Sequence, residues 1–165
     1  MLRRTLTVVT LVALAAAISA CGAPENARPI CRSDSPTILM AESVPSASLI
    51  PCIDSLPGGW AFDTFEADET HATFSLQQQD GGGVLDVQLV SSCDATGRGV
   101  AVEGFPTVQR YRSEVDGGSG VMWISTFPGG CSRAELTFPA PPAQADVDRM
   151  ERAISFFPRD QLRPM

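Results

Sequence analysis

The sequence contains no lysine, and all 12 of its basic residues are arginine. We interpret this bias as the codon usage of a GC-rich genome and not as a functional signal. Acidic residues outnumber basic residues by 19 to 12, so the net charge is −7. Because binding to nucleic-acid phosphates needs clustered cationic side chains, this balance argues against a nucleic-acid partner. It also argues against polybasic attachment to anionic lipid, so any membrane attachment has to be covalent.

The residues of common metal and catalytic motifs are also scarce. There is one histidine, and no two cysteines have the C-x-x-C spacing of zinc sites. The calcium-loop pattern and the G-x-S-x-G nucleophile motif are both missing. We therefore interpret His71 as a surface residue, and the acidic run Asp63, Glu66, Asp68 and Glu69 as a solvated loop rather than a Ca²⁺ site. The sequence predicts no catalytic residue, no metal and no cofactor.

No apolar run reaches the roughly 20 residues that a transmembrane helix needs. The longest run, residues 6–18, follows Arg3-Arg4 and is followed by Ser19-Ala20-Cys21. A positive start, a short apolar stretch and small residues before a cysteine are typical of a bacterial lipoprotein signal. This pattern predicts a signal peptide over 1–20. The alternative is an ordinary signal peptide followed by an unmodified cysteine.

The lipoprotein interpretation makes Cys21 the attachment point of a diacylglycerol and, on its freed amine, of an acyl chain such as palmitate. The protein would then lie on the extracytoplasmic face of the cell membrane. Residues 21–30 would be the lipidated cysteine and a tether, and residues 31–160 a single domain, with a tail over 161–165.

The domain is expected to be α+β, with an antiparallel sheet of five or six strands and one C-terminal helix packed on it. Alternation of apolar and polar residues is clearest in 72–77 and 85–89, and glycine-rich turns separate the strands. The predicted strands are 60–65, 72–77, 85–89, 107–115, 121–127 and 133–138, connected as a meander.

Outside these strands, residues 38–41 are expected to form an edge strand and residues 91–106 a loop. The two prolines of 43–52 predict an extended segment that crosses the surface. Val147, Met150, Ile154 and Phe157 form one helical stripe, and Pro158 ends the predicted helix.

Four cysteines remain after Cys21, an even number that implies two disulfides in an exported domain. In a meander, Cys93 leaves its strand at the end where Cys131 enters another. Cys52 precedes the first strand and lies at the opposite end. The preferred pairing is therefore Cys31–Cys52 with Cys93–Cys131.

Two further groups of residues are candidates for binding. Arg110 and Arg112 share one strand face and could clamp a carboxylate or phosphate, although pairing with carboxylates on a neighbouring strand is the commoner arrangement. The aromatic residues could line an apolar ligand pocket, but their alternation favours ordinary core. They are Trp60, Phe62, Phe74 and Trp123.

Several segments resemble a family of uncharacterised actinobacterial envelope lipoproteins. They are Ser43-Val44-Pro45-Ser46-Ala47, Ile50-Pro51-Cys52, Leu56-Pro57-Gly58-Gly59-Trp60, Phe127-Pro128-Gly129-Gly130-Cys131 and Ile154-Ser155-Phe156-Phe157-Pro158-Arg159. The likeness spans most of residues 31–160. It implies two internal disulfides but transfers no activity and no catalytic residue.

The leading hypothesis is therefore a lipid-anchored envelope protein that acts by binding another envelope protein or a cell-wall or lipid component. Two alternatives stay open. One is an envelope hydrolase with a site assembled across the strands, and the other is a carrier of a small apolar ligand between sheet and helix.

Overall fold

A computed structural model of the chain describes residues 28–115 and 117–162. The predicted signal peptide, Cys21 and Asp116 lie outside the described residues. The elements, in chain order, are helix α1 (Ser35–Ser43), strands β1 (Leu49–Ile53), β2 (Trp60–Ala67), β3 (His71–Gln78), β4 (Val84–Val90), β5 (Val100–Val102), β6 (Phe105–Glu114), β7 (Gly120–Phe127) and β8 (Gly130–Thr137), helix α2 (Gln144–Ala153), strand β9 (Ile154–Pro158) and a short 3₁₀ turn (Arg159–Gln161).

The described strands form two antiparallel sheets. The larger has seven strands in the order β2-β3-β4-β8-β7-β6-β5, and the smaller pairs β1 with β9. The predicted α+β class with a mainly antiparallel sheet is confirmed. The large sheet has one strand more than expected, because β5 lies inside the predicted loop 91–106.

The expected meander is wrong at the centre of the sheet, where β4 pairs with β8 and not with β6. Val87 lies opposite Ala134, and Ala134 lies opposite Trp123 on β7. These strands carry the strictest apolar alternation, and burial of that alternation against a covering layer favours the central positions. The weakly patterned β6 and the three-residue β5 are left at one end of the sheet.

The predicted edge strand at 38–41 is instead part of helix α1. Asp34 is its N-cap and forms a capping box with Thr37, and a proline occupies the first turn. These features start a helix because the capping-box side chains accept from free amide groups at its start, and proline has no amide that needs a partner. Met40 and Ala41 are buried in the core.

The segment expected to cross the surface contains a buried strand, β1, all five residues of which are buried. Pro51 is tolerated there because the neighbouring main-chain groups make the bonds to β9. Asp54 N donates to Ala153 O, and Arg159 N donates to Ser48 O. Alternate residues therefore face β9, and the missing amide of Pro51 points away from it.

The predicted C-terminal helix is too long. Helix α2 ends at Ala153, and Ile154 begins strand β9, which pairs with β1 from Ile154–Ile53 to Pro158–Leu49. The apolar stripe is real over Val147 and Met150, both buried. Beyond them, pairing with β1 decides the conformation of a β-branched and aromatic run, a tertiary effect that overrides local periodicity.

One face of the large sheet is covered and the other is not. Helix α1, the β1–β9 ribbon and helix α2 contribute to a single core with the inward residues of β3, β4, β7 and β8. On the opposite face, Gln88, Ile124 and Arg133 are half-buried or exposed. The fold is therefore a two-layer α+β arrangement with one open sheet face.

Both disulfides have the preferred pairing. Cys31–Cys52 joins the start of the domain to β1, with Cα atoms 5.0 Å apart, and Cys93–Cys131 has a Cα separation of 6.0 Å. Val90 pairs directly with Cys131, so Cys93 leaves β4 at the point where β8 begins. The meander was wrong, but direct pairing of β4 with β8 brings the same two cysteines together.

Candidate functional site

A groove of about 770 Å³ lies between the β5–β6 hairpin and the α2–β9 segment. Four arginines contribute to its walls, and two of them are the predicted pair. They are Arg98, Arg110, Arg112 and Arg152. This volume is in the range of small-molecule sites. We refer to it as the arginine groove.

Arg110 lies on the covered face of β6, opposite Ser125 on β7. Its side chain is only 11% exposed. Its guanidinium donates to Ser125 Oγ at 3.2 Å, to the Glu151 carbonyl at 3.2 Å and to the Ile154 carbonyl at 3.3 Å. It also lies 6.0 Å from the ring centroid of Phe156. Arg110 therefore binds the C-terminal end of α2, where free carbonyls and the helix dipole favour a cation.

Burial lowers the pKa of Arg110, and the nearby Glu151 carboxylate opposes that effect. Arginine titrates so far above neutrality that the group stays cationic at physiological pH. The floor of the groove thus carries a fixed positive charge.

Arg112 is two residues further along the same face and is held much less firmly. Its side chain is 41% exposed. It donates to Gln144 Oε1 at 3.4 Å, and its Nη1 is 3.9 Å from Glu151 Oε2. The other oxygen of Glu151 is 3.8 Å from Arg110 Nη1. One helix carboxylate thus lies between both arginines, at distances longer than a strong charge-assisted hydrogen bond.

The pairing of the predicted arginines therefore differs from the expected one. Their carboxylate partner comes from helix α2 and not from a neighbouring strand. Glu103 and Asp148 add two further acidic groups to the groove. With four arginines and three carboxylates, the lining has one net positive charge on a chain whose net charge is −7.

One part of the groove is apolar. Val100 and Val102 of β5, Phe105 at the start of β6 and Ile154 at the start of β9 all contribute to it. Val100 is 65% exposed although it pairs with Arg110 across the hairpin. Val100 therefore leaves apolar surface in contact with solvent at the edge of the groove.

His71 and the acidic run do not contribute to this groove. Asp68 accepts hydrogen bonds from the backbone amides of Thr70 at 2.7 Å and His71 at 2.9 Å. These backbone bonds lower the pKa of Asp68. His71 Nδ1 lies 2.9 Å from Asp68 Oδ2 and 3.2 Å from the Thr70 hydroxyl. Asp68 and Thr70 thus belong to the turn between β2 and β3, and no serine or cysteine takes part in these contacts. Asp63 and Glu66 are exposed but lie in strand β2 and not in the expected loop.

The aromatic candidates belong to the core, as their alternation predicted. Phe74 and Trp123 are fully buried, Trp60 is 9% exposed, and Phe62 packs against the same cluster. None of them lines the arginine groove.

Among residues 28–115 and 117–162, no group of three or more histidine, cysteine, aspartate or glutamate side chains is placed to hold a metal ion. Neither helix in that part of the chain is long and apolar enough to cross a membrane.

The chain matches no protein-family model, no curated protein and no solved structure. The resemblance to actinobacterial envelope lipoproteins therefore stays a prediction.

Sequence reasoning identified two of the groove arginines and missed the rest of the site. Arg98 lies between two glycines, two residues before the short apolar run Val100-Ala101-Val102 that forms β5. Glu151 and Arg152 belong to the polar side of α2, away from its buried stripe. The short apolar run of β5 and the polar side of α2 are the available signals, but only the fold shows that they face each other.

Proposed function

We propose that this protein is a lipid-anchored cell-envelope protein that acts by binding, and that the arginine groove is its ligand site. The single observation that supports the binding site is the juxtaposition of Arg110 and Arg112 with apolar surface in one groove of small-molecule size. The lipoprotein-signal pattern that ends in Ser19-Ala20-Cys21 supports the anchor. Both statements rest on chemistry, since no relative supplies a function.

The hydrogen bonds at the start of the folded domain support a short distance between Cys21 and the domain. Ile53 N donates to Pro29 O at 2.9 Å, and Cys31 N donates to Ile53 O at 3.2 Å, so the chain is tied to β1 from Pro29 onward. Only residues 22–28 separate Cys21 from this point. Such a segment reaches at most about 25 Å when extended. A domain anchored in this way would stay within reach of molecules at the membrane surface.

The hydrolase alternative has little support from the described residues. The contacts of His71 lie within its own turn, and the described lining of the groove includes Ser155 and three carboxylates but no histidine that could activate a nucleophile. The carrier alternative shares the groove with the leading proposal. The two differ in whether the bound molecule carries a charge.

The anchor is tested by fractionating cells that express the wild type or Cys21→Ala. We expect the wild type in the membrane fraction with an acylated N-terminal cysteine by mass spectrometry. Cys21→Ala should be soluble or unprocessed. Recovery of Cys21→Ala in membranes at the mature size would reject the lipid anchor.

The binding role is tested by native mass spectrometry of protein purified from envelopes. We expect a non-covalent adduct on the wild type that is lost from Arg112→Ala and kept by Arg149→Ala. Arg149 is the matched control, because it is an exposed arginine of α2 that pairs with Asp146 outside the groove. An adduct unaffected by Arg112→Ala, or no adduct in any preparation, would reject this groove as the ligand site.

A further inference from the structure

The two walls of the arginine groove run in opposite directions, which gives the groove an arginine end at Arg112 and an aromatic end at Phe105, where Glu103 also contributes to the lining. Gln144, at the start of α2, contacts Arg112, whereas Ile154, after α2, contacts Arg110. Further on, Phe156 of β9 packs edge-on against Phe105 with ring centroids 5.6 Å apart. Along β6 the contacts therefore change from charged at Arg112 to aromatic at Phe105, over roughly 23 Å of strand.

We propose that the groove binds an anionic amphiphile, with a carboxylate or phosphate head at the Arg112 end and one apolar tail that lies along Val100 and points toward the Phe105 end. This inference rests on the proposed binding function and names the class of its ligand. A head group and a tail would then each meet matching chemistry within one groove.

The polar end can accept a head group without disrupting the fold. Arg112 makes only long contacts and is 41% exposed, whereas Arg110 is already held by two carbonyls. Arg98 precedes Val100 by two residues and lies toward the same end as Arg112. A guanidinium binds carboxylate and phosphate oxygens in a bidentate manner, so a ligand oxyanion can replace the weak contact of Arg112 with Glu151.

The charge of the groove selects an anion over a neutral or cationic head. The four arginines exceed the three carboxylates by one charge, and the Arg110 charge is partly buried. A singly charged anion therefore balances the lining. A cation would add a second uncompensated charge in a region of reduced dielectric.

The valines of β5 provide an apolar surface for the ligand tail next to the position of the head group. Val100 pairs directly with Arg110, and Val102 pairs with Phe105 at the hairpin end. Val100 is 65% exposed in the free protein, and covering it removes apolar surface from water. An ion without a tail would leave this strip uncovered.

The test uses the full chain carrying Cys21→Ala, titrated calorimetrically with octyl phosphate, octanoate, inorganic phosphate and octyl glucoside. We expect one-to-one binding of the two amphiphilic anions, at least tenfold tighter than either inorganic phosphate or octyl glucoside. Arg112→Ala should weaken octyl phosphate binding about tenfold or more, and Arg149→Ala should leave it unchanged. Equal binding of octyl glucoside and octyl phosphate, or of inorganic phosphate and octyl phosphate, would overturn the inference.

Two further variants separate ligand contact from structural damage. Glu151→Gln removes the carboxylate that competes with the head, so octyl phosphate should bind several-fold more tightly. Val100→Ser changes an exposed residue and should weaken octyl phosphate while leaving the circular dichroism spectrum unchanged. Weaker binding by Glu151→Gln, or unchanged binding by Val100→Ser, would contradict the proposed arrangement.

Vesicle binding distinguishes a membrane lipid from a free amphiphile as the source of such a head group. Arg112-dependent binding of the Cys21→Ala chain to phosphatidylglycerol vesicles, but not to phosphatidylcholine vesicles, would support a membrane lipid as the source. Octyl phosphate binding without vesicle binding would support a free amphiphile. If no probe binds but an envelope adduct still depends on Arg112, the anionic-amphiphile inference is rejected and the proposed binding function is kept. If no probe binds and no Arg112-dependent adduct is found, both proposals are rejected.

Discussion

The guanidinium of Arg110 donates a hydrogen bond of 3.2 Å to the main-chain carbonyl of Glu151, a residue on the covering helix. This bond joins strand β6 to the C-terminal end of α2. Two neighbouring carbonyls at that end have main-chain partners, since Met150 accepts from Ile154 N and Ala153 accepts from Asp54 N. Arg110 thus supplies a donor to a further carbonyl of this helix terminus while keeping a cation in the groove.

Replacing Arg110 with methionine should destabilise the fold. The substitution keeps much of the aliphatic side chain but leaves the Glu151 and Ile154 carbonyls without their donor. Unpaired buried acceptors cost about 1–3 kcal/mol, so urea denaturation should show a loss of that size in the free energy of unfolding. Arg149→Met changes an exposed arginine of α2 and should alter the free energy of unfolding by less than about 0.5 kcal/mol. Equal small losses in both variants would show that Arg110 does not hold the end of α2.

Gly129 should tolerate alanine much less well than Gly81 does. Both have positive φ, +76° and +75°, so both substitutions strain the backbone by about 1–2 kcal/mol. A Cβ at Gly81 meets open space, whereas a Cβ at Gly129 would collide with the main-chain carbonyl of Ser46. Overpacking adds about 1–3 kcal/mol, and thermal or urea unfolding should resolve the difference. Identical losses would mean that the β7–β8 turn does not pack against the segment before β1.

Each disulfide should contribute about 2–4 kcal/mol to stability. The Cys93–Cys131 bridge spans 38 residues and the Cys31–Cys52 bridge spans 21. Since loop-closure entropy grows with the logarithm of length, the double serine variant of the longer bridge should lose about 0.5 kcal/mol more. Urea unfolding of the two double variants measures this. A non-reducing peptide map that links Cys52 to Cys93 would contradict the fold itself.

Asp86→Asn should stabilise the protein at neutral pH. Asp86 lies directly opposite Glu135, and its pKa is raised by burial first and then by Glu135 and Asp63. Because the folded state then protonates more readily than the unfolded state, the free energy of unfolding falls as pH rises from about 3.9 through the raised pKa. Relief of one like-charge cross-strand pair is worth about 0.2–1 kcal/mol.

The gain from Asp86→Asn should shrink as the pH is lowered, because protonation already neutralises the wild-type side chain. Unfolding measured from pH 4 to pH 8 gives this profile. Asp94→Asn, at an exposed position in the segment after β4, is the control for loss of one negative charge. A pH-independent effect of Asp86→Asn, matched by Asp94→Asn, would show that the Glu135 contact carries no penalty.

Local patterns predicted the strands well, and failed where tertiary pairing competes with them. Leu85, Val87 and Leu89 are buried as their alternation predicts, because alternation places one face of a strand toward the core wherever that strand lies. Ile154 and Phe157 continue the helical spacing of α2, yet they belong to β9. The available partner strand β1 decided their conformation, and β1 itself was not predicted.

The candidate site divides in the same way. The i, i+2 spacing of Arg110 and Arg112 was enough to predict that they share a strand face, since side chains alternate along any strand. That spacing did not show that the face is the covered one or that Glu151 lies between them. Partners 39 and 41 residues away depend on how α2 crosses the sheet.

By itself, the sequence determined the acidic charge, the even cysteine count after Cys21, the α+β class and the candidate signal. Each of these properties follows from composition or from local periodicity. Only the tertiary structure decided that β4 pairs with β8, that β5 exists and that two arginines separated by one tyrosine form the floor of a groove. The physical reason is that strand order and helix placement follow from burying all apolar faces at once, a condition on the whole chain rather than on any segment.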